Sequence, residues 1–111
     1  MSIILGIDIG GSTTKITGFN DKTMFSPMLV KANDPLASVY GAFGKFLNAN
    51  NLSLSDIERV MVTGVGSSFI KKNLYGIPTG KVDEFVATGR GGLYLSNLQE
   101  AIIVSMGTGT A

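Results

Sequence analysis

Ile3-Ile4-Leu5-Gly6-Ile7-Asp8-Ile9-Gly10-Gly11-Ser12-Thr13-Thr14-Lys15 decides how this chain folds. An apolar run carrying a single acidic residue reads as a buried strand. It breaks into Gly-Gly-Ser-Thr, then resumes with alternation at Ile16, Gly18 and Phe19. The reading is a strand, a tight turn and a second strand, with a carboxylate and a lysine at the turn. Glycines let a backbone approach a phosphate closely, and their amides donate to its oxygens. The hydroxyls of Ser12 and Thr13 add further donors. Asp8 is placed to hold a metal, directly or through water, because Mg²⁺ keeps most of its waters. An ordinary hairpin turn with a solvated lysine would carry the same residues.

Composition narrows the chemistry. A chain of 111 residues predicts one domain. It is 44% apolar and 15% charged, which suits a compact core and argues against disorder. The net charge is +1, so no nucleic-acid or acidic-membrane surface is expected. Without Cys, the chain itself holds no disulfide, Fe–S cluster or thiolate metal site. Without His, acid–base chemistry falls to Asp, Glu, Lys or Tyr. No run reaches the length of a membrane span, and the N-terminus lacks the basic-then-apolar pattern of a signal peptide. The expectation is a cytoplasmic protein. The sequon Asn51-Leu52-Ser53 then carries no weight.

Residues 2–9 and 13–20 read as two strands turned at Gly10–Ser12, with a second turn at Asn20-Asp21-Lys22. Met24 to Lys31 reads as a third strand, and Pro27 within it suggests an edge or a bulge. Asp34 as N-cap and Pro35 at the first helical position start a helix. Leu36, Val39, Tyr40, Phe43, Phe46 and Leu47 then recur at helical spacing to about Asn50. A loop at Ser53–Asp56 leads to a buried strand over Arg59–Thr63, ending at Gly64. Ser67 is expected to cap a short helix through Asn73, and Gly76–Gly80 to form a loop. A helix is expected over Asp83–Ser96, although Gly89, Gly91 and Gly92 each cost about 1 kcal/mol against Ala there. A last buried strand, Ala101–Ser105, runs into Met106-Gly107-Thr108-Gly109-Thr110-Ala111.

Three strands thus end in small, hydroxyl-rich turns: after Ile9, after Thr63 and after Val104. Ligands of open α/β sheets bind outside the carboxyl ends of strands, so three such turns on one edge would form a composite phosphate cradle. Turns in α/β proteins also use Gly and Ser for purely local reasons. Two nucleotide motifs fail. Gly76 to Lys81 is one residue short of a P-loop and has Val82 where a hydroxyl is required, and no GxGxxG follows a strand.

Gly6 to Lys15 resembles the first phosphate motif of the sugar kinase, Hsp70 and actin superfamily. Within it, the chain looks most like type II, or eukaryotic-like, pantothenate kinases. Val62-Thr63-Gly64-Val65-Gly66 resembles that family's strand-to-glycine segment. Val82-Asp83-Glu84-Phe85 resembles its Glu-bearing helix start, and Ser105-Met106-Gly107-Thr108-Gly109-Thr110 its second phosphate motif. The resemblance implies ATP, Mg²⁺ and transfer of the γ-phosphate to the primary hydroxyl of pantothenate, the first step of coenzyme A synthesis. It assigns Glu84 as catalytic base and Asp8 to the metal. It puts Gly10, Gly11, Ser12, Thr13 and Lys15 in the first phosphate loop, Gly107 and Gly109 in the second, and Thr108 against the substrate. It leaves room for a homodimer.

The chain departs from the family at Val86, where an acidic residue is frequent; Met106, where sugar kinases usually place Asp, fits the pantothenate kinases better. The chain is also short for a family built of two such domains. Residues 1–111 are therefore expected to be the N-terminal half of a kinase, inactive by itself. The implied fold is an RNase H-like, actin-like ATPase α/β domain: a mixed five-stranded sheet, its first three strands an antiparallel meander, with helices on both faces. Rival readings are an ATPase activator of a 2-hydroxyacyl-CoA dehydratase, which shares the Asp-Gly-Ser-Thr-x-x-Lys pattern but needs Cys for an Fe–S cluster, an N-acetylhexosamine kinase, and a non-catalytic binding fragment.

Overall fold

Asp8 and the turn after it are set by the central strand of one sheet, seen in a computed structural model that describes residues 2–20 and 23–82. Strand β1 (Ile3–Ile9) pairs antiparallel with β2 (Thr13–Asn20) on one side. Two short strands, β3 (Thr23–Met24) and β4 (Met28–Lys31), both lie antiparallel on the outer side of β2. Helix α1 (Pro35–Ala49) crosses over to β5 (Ile57–Thr63), which runs parallel to β1. Strand β6 (Thr79–Lys81) is parallel to β5, giving the order β3-β2-β1-β5-β6 with β4 beside β2.

Among the described residues, six strands therefore fill five positions. The third expected strand is split: Pro27 has no N–H for the ladder, so pairing stops at Met24 and restarts at Met28. The fifth position goes to Thr79–Lys81, which overlaps the loop expected over Gly76–Gly80. The expected helix over Asp83–Ser96 and the expected strand Ala101–Ser105 lie outside the described residues. Of the helices expected on both faces, α1 is the one described.

The residues explain the elements. Asp34 caps α1: its carboxylate accepts from the amides of Leu36 (2.9 Å) and Ala37 (3.3 Å), and Pro35 opens the helix. Ile3, Leu5, Ile7 and Ile9 point to one face of the sheet, where they pack with Val39, Ala42, Phe43 and Phe46 of α1 and with Val60 and Val62. Phe46 leaves no room over β2 for a side chain, since a Cβ at Gly18 would sit 2.9 Å from its ring. The ring of Phe25 meets Phe46 edge-on at 5.6 Å. A polar contact crosses this layer, the buried bond from Ser38 Oγ of α1 to Thr14 Oγ1 of β2 at 2.6 Å.

Two connections differ from expectation. Ser53–Asp56 is a capped 3-10 turn over Leu54–Asp56, and β5 begins directly after it at Ile57. Asp56 accepts from the Ser53 amide at 2.9 Å, and that bond holds its carboxyl below the usual value. The segment after β5 is a 3-10 turn, Val65–Phe69, shorter than the expected helix to Asn73. Gly64 holds its cap position, and Ser67 Oγ donates back to the Gly64 carbonyl at 2.7 Å. Among the described residues no helix is long and apolar enough to cross a membrane.

Candidate functional site

The turn between β1 and β2 closes on itself, with the Gly10 amide donating to the Thr13 carbonyl at 2.9 Å. A Cβ at Gly10 would stand 2.8 Å from that carbonyl oxygen, so only glycine fits. Gly11 is different. It is exposed and has open space where a side chain would go. Ser12 is exposed beside it, with its carbonyl tied to the Ala32 amide at 3.2 Å. The turn is held rigidly at its base and stays accessible at its tip.

Asp8 sits one residue from the end of β1, on the face opposite α1. In register it stands between Lys15 of β2 and Thr63 of β5, so Lys15, Asp8 and Thr63 form one row across three strands. Asp8 is half-buried and Lys15 exposed. The row ends at the second glycine turn. Gly64 adopts φ +91°, and a Cβ there would come within 2.5 Å of both Asp8 Oδ1 and the Ile9 carbonyl oxygen. A Cβ at Gly66 would meet Ile9 Cγ2 at 2.4 Å and Pro35 Cβ at 3.1 Å. The turn after β5 is therefore clamped against the end of β1.

The structure thus brings together Asp8, Gly10, Gly11, Ser12, Thr13 and Lys15, and sets the Gly64–Ser67 turn beside them at the carboxyl ends of the parallel strands β1 and β5. Glu84, Gly107, Thr108 and Gly109, the expected base and the third turn of the expected cradle, lie outside the described residues. Among the described residues no three His, Cys, Asp or Glu side chains gather as a metal cage. A single carboxylate beside a row of hydroxyl and amide donors suits Mg²⁺, which takes one or two protein carboxylates and fills its octahedron with water and phosphate oxygens. Sequence reasoning passed over Thr63 as a strand-end residue. Its signal is positional, since it stands opposite Asp8 once β1 and β5 are paired.

Solved structures share this fold. The activator of the 2-hydroxyisocaproyl-CoA dehydratase from Clostridium difficile, with bound ADPNP, superposes with a TM-score of 0.71 at 18% identity, over 83% of this chain and 33% of that one. Component A of the (R)-2-hydroxyglutaryl-CoA dehydratase from Acidaminococcus fermentans gives 0.72 at 21%, over 86% and 36%. The fold is that of the actin-like ATPases. YeaZ from Pseudomonas aeruginosa gives 0.58 at 9% identity, over 87% of this chain and 50% of its own. The chain spans about a third of the length of the first two proteins. No protein-family model matches it, and no curated protein matches it significantly.

Proposed function

We propose that this chain forms the first nucleotide-binding lobe of an ATP-using enzyme, with the Gly10–Thr13 turn receiving phosphate oxygens. The observation that carries the reading is the row Lys15–Asp8–Thr63 running into two glycine turns at one sheet edge. Gly10 and Gly11 offer amides at close approach, and Ser12 and Thr13 offer hydroxyls. Lys15 offsets negative charge on the phosphates, and Asp8 orients the water shell of the cation. Mg²⁺, when bound, neutralises charge between phosphates. Phosphoryl transfer depends mostly on such positioning and charge stabilisation.

Two finer readings divide on the acceptor. The two dehydratase proteins, one solved with an ATP analogue, favour an ATPase that activates a 2-hydroxyacyl-CoA dehydratase. The segments at 62–66, 82–85 and 105–110 favour pantothenate kinase by resemblance. In that reading Glu84 takes the proton of the pantothenate hydroxyl, whose oxygen bonds the γ-phosphorus as the bond to the β–γ bridging oxygen breaks and ADP leaves.

Titration of the chain with ADPNP and Mg²⁺ tests the shared proposal. Binding is expected, and Asp8→Asn should weaken it at least several-fold. A chain that binds no nucleotide at millimolar concentration refutes it. The acceptor is read in the protein completed by a second lobe. ADP release that requires pantothenate, and falls about 10²–10⁴-fold in Glu84→Gln, marks the kinase. Hydrolysis indifferent to pantothenate marks the activator.

A further inference from the structure

The geometry points to Thr63 as a positioning residue, whose hydroxyl fixes a water of the hydrated Mg²⁺ that Asp8 holds. This inference rests on the nucleotide-binding reading above. Thr63 Oγ1 is buried and has no hydrogen-bond partner, alone among the buried side-chain polar atoms of the described residues. Native proteins pair such groups, and an exception calls for a role or for a partner that arrives with a ligand. The fold pairs its other enclosed hydroxyls well: Ser38 Oγ bonds Thr14 Oγ1 at 2.6 Å, and Thr79 Oγ1 accepts from the Leu74 amide at 3.0 Å. Thr63 is the exception, and it lies in register beside Asp8.

The local geometry says what the missing partner is. Asp8 Oδ1 rests against the backbone of Gly64, the residue after Thr63. Neighbouring strands stand about 4.7–4.9 Å apart. Thr63 Oγ1 makes no direct bond to the carboxylate of its register partner Asp8, and a water that bridges a hydroxyl and a carboxylate on adjacent strands bonds nearly as well as a direct contact. Mg²⁺ sheds its waters reluctantly and is commonly held through them. Thr63 then does for the cation's hydration shell what an outer-shell partner does for a metal ligand: it fixes the orientation. The glycine at 64 keeps the space beside Asp8 clear, since a Cβ there would touch the carboxylate.

The test uses Thr63→Val, which keeps the branched shape and removes the hydroxyl, with Thr63→Ala as a second removal and Thr63→Ser as the conservative control. ADPNP affinity is measured by calorimetry with Mg²⁺ and again in EDTA, alongside thermal unfolding. Thr63→Val and Thr63→Ala should each weaken Mg²⁺-dependent binding by about tenfold or more, the usual effect of losing an outer-shell partner. Thr63→Ser should stay near wild type, and in EDTA all four proteins should bind alike. Thr63→Val should unfold no earlier than wild type, because it discards an unpaired buried hydroxyl. Equal Mg²⁺-dependent affinity in wild type and Thr63→Val overturns the inference while leaving the nucleotide-binding reading intact. So does an affinity loss that persists unchanged in EDTA. A wild-type chain that binds no ADPNP overturns both.

Discussion

Gly64 and Gly11 do different work, and substitution separates the two. Gly64 has a left-handed backbone and no space for a side chain, with Asp8 Oδ1 and the Ile9 carbonyl both 2.5 Å from where a Cβ would go. Gly64→Ala must hold a backbone (φ +91°, ψ 168°) open essentially to glycine alone, at a cost of about 1–3 kcal/mol, and also push β1 and β5 apart. We expect a total loss above about 2 kcal/mol in denaturant unfolding, together with weaker ADPNP binding. Gly11 has open space around it, so Gly11→Ala should change stability by no more than about 0.5 kcal/mol. If the turn receives phosphate as proposed, Gly11→Ala should still lower nucleotide affinity. Unchanged affinity in a stable Gly11→Ala would move the phosphate away from this turn.

Within the apolar packing of α1 on β2 lies a buried polar contact, Ser38 Oγ to Thr14 Oγ1. Ser38→Ala leaves Thr14 buried and unpaired, at a cost of about 1–3 kcal/mol. Adding Thr14→Val removes the orphan, so the double variant should recover much of that loss, and denaturant midpoints of the four proteins check it. Additive losses would mean that the bond is incidental. Elements like these were legible in the sequence to unequal degrees. The hairpin of β1 and β2, the cap at Asp34 and the helical stripe of α1 are written in local patterns of apolar spacing and capping chemistry. Pro27 marked an edge or a bulge for the same kind of reason, but the break of the expected strand Met24–Lys31 into two was not foreseen. Strand β6 was not, because Thr79-Gly80-Lys81 carries no apolar side chain. Non-local bonds hold it: Asn73 Oδ1 accepts from the Thr79 amide at 3.1 Å, and the Val60 amide donates to Pro78 at 2.9 Å. Tyr75, at φ +52°, anchors that loop by packing edge-on against Tyr40 and Phe43. At the site, the glycine-hydroxyl turns were legible as a pattern. That Gly64 and Gly66 press on Asp8 and Ile9, and that Thr63 stands beside Asp8, follows from strand register, which a linear pattern does not contain.

Across the whole sheet, the outer side of β2 carries a broken rim. Pro27 divides β3 from β4, although the Phe25 amide still reaches the Gly18 carbonyl at 2.8 Å. A continuous edge offers a template for strands of other molecules, and proline is a common way to interrupt one. Pro27→Val restores an N–H and lets the two short strands merge. We expect little change in unfolding midpoint but faster light-scattering growth in concentrated samples held near that midpoint. Equal scattering would show that the break has no protective role. The parallel pairing of β1 with β5 gives the rim a further meaning during protein synthesis. β1 and β2 leave the ribosome early, whereas β5 follows only after α1 has been made. At roughly 5–20 residues per second, one side of β1 then waits some seconds for its partner. Through that interval the nascent sheet has one open side at β1, while the interrupted rim keeps its other side a poor landing place for neighbouring chains.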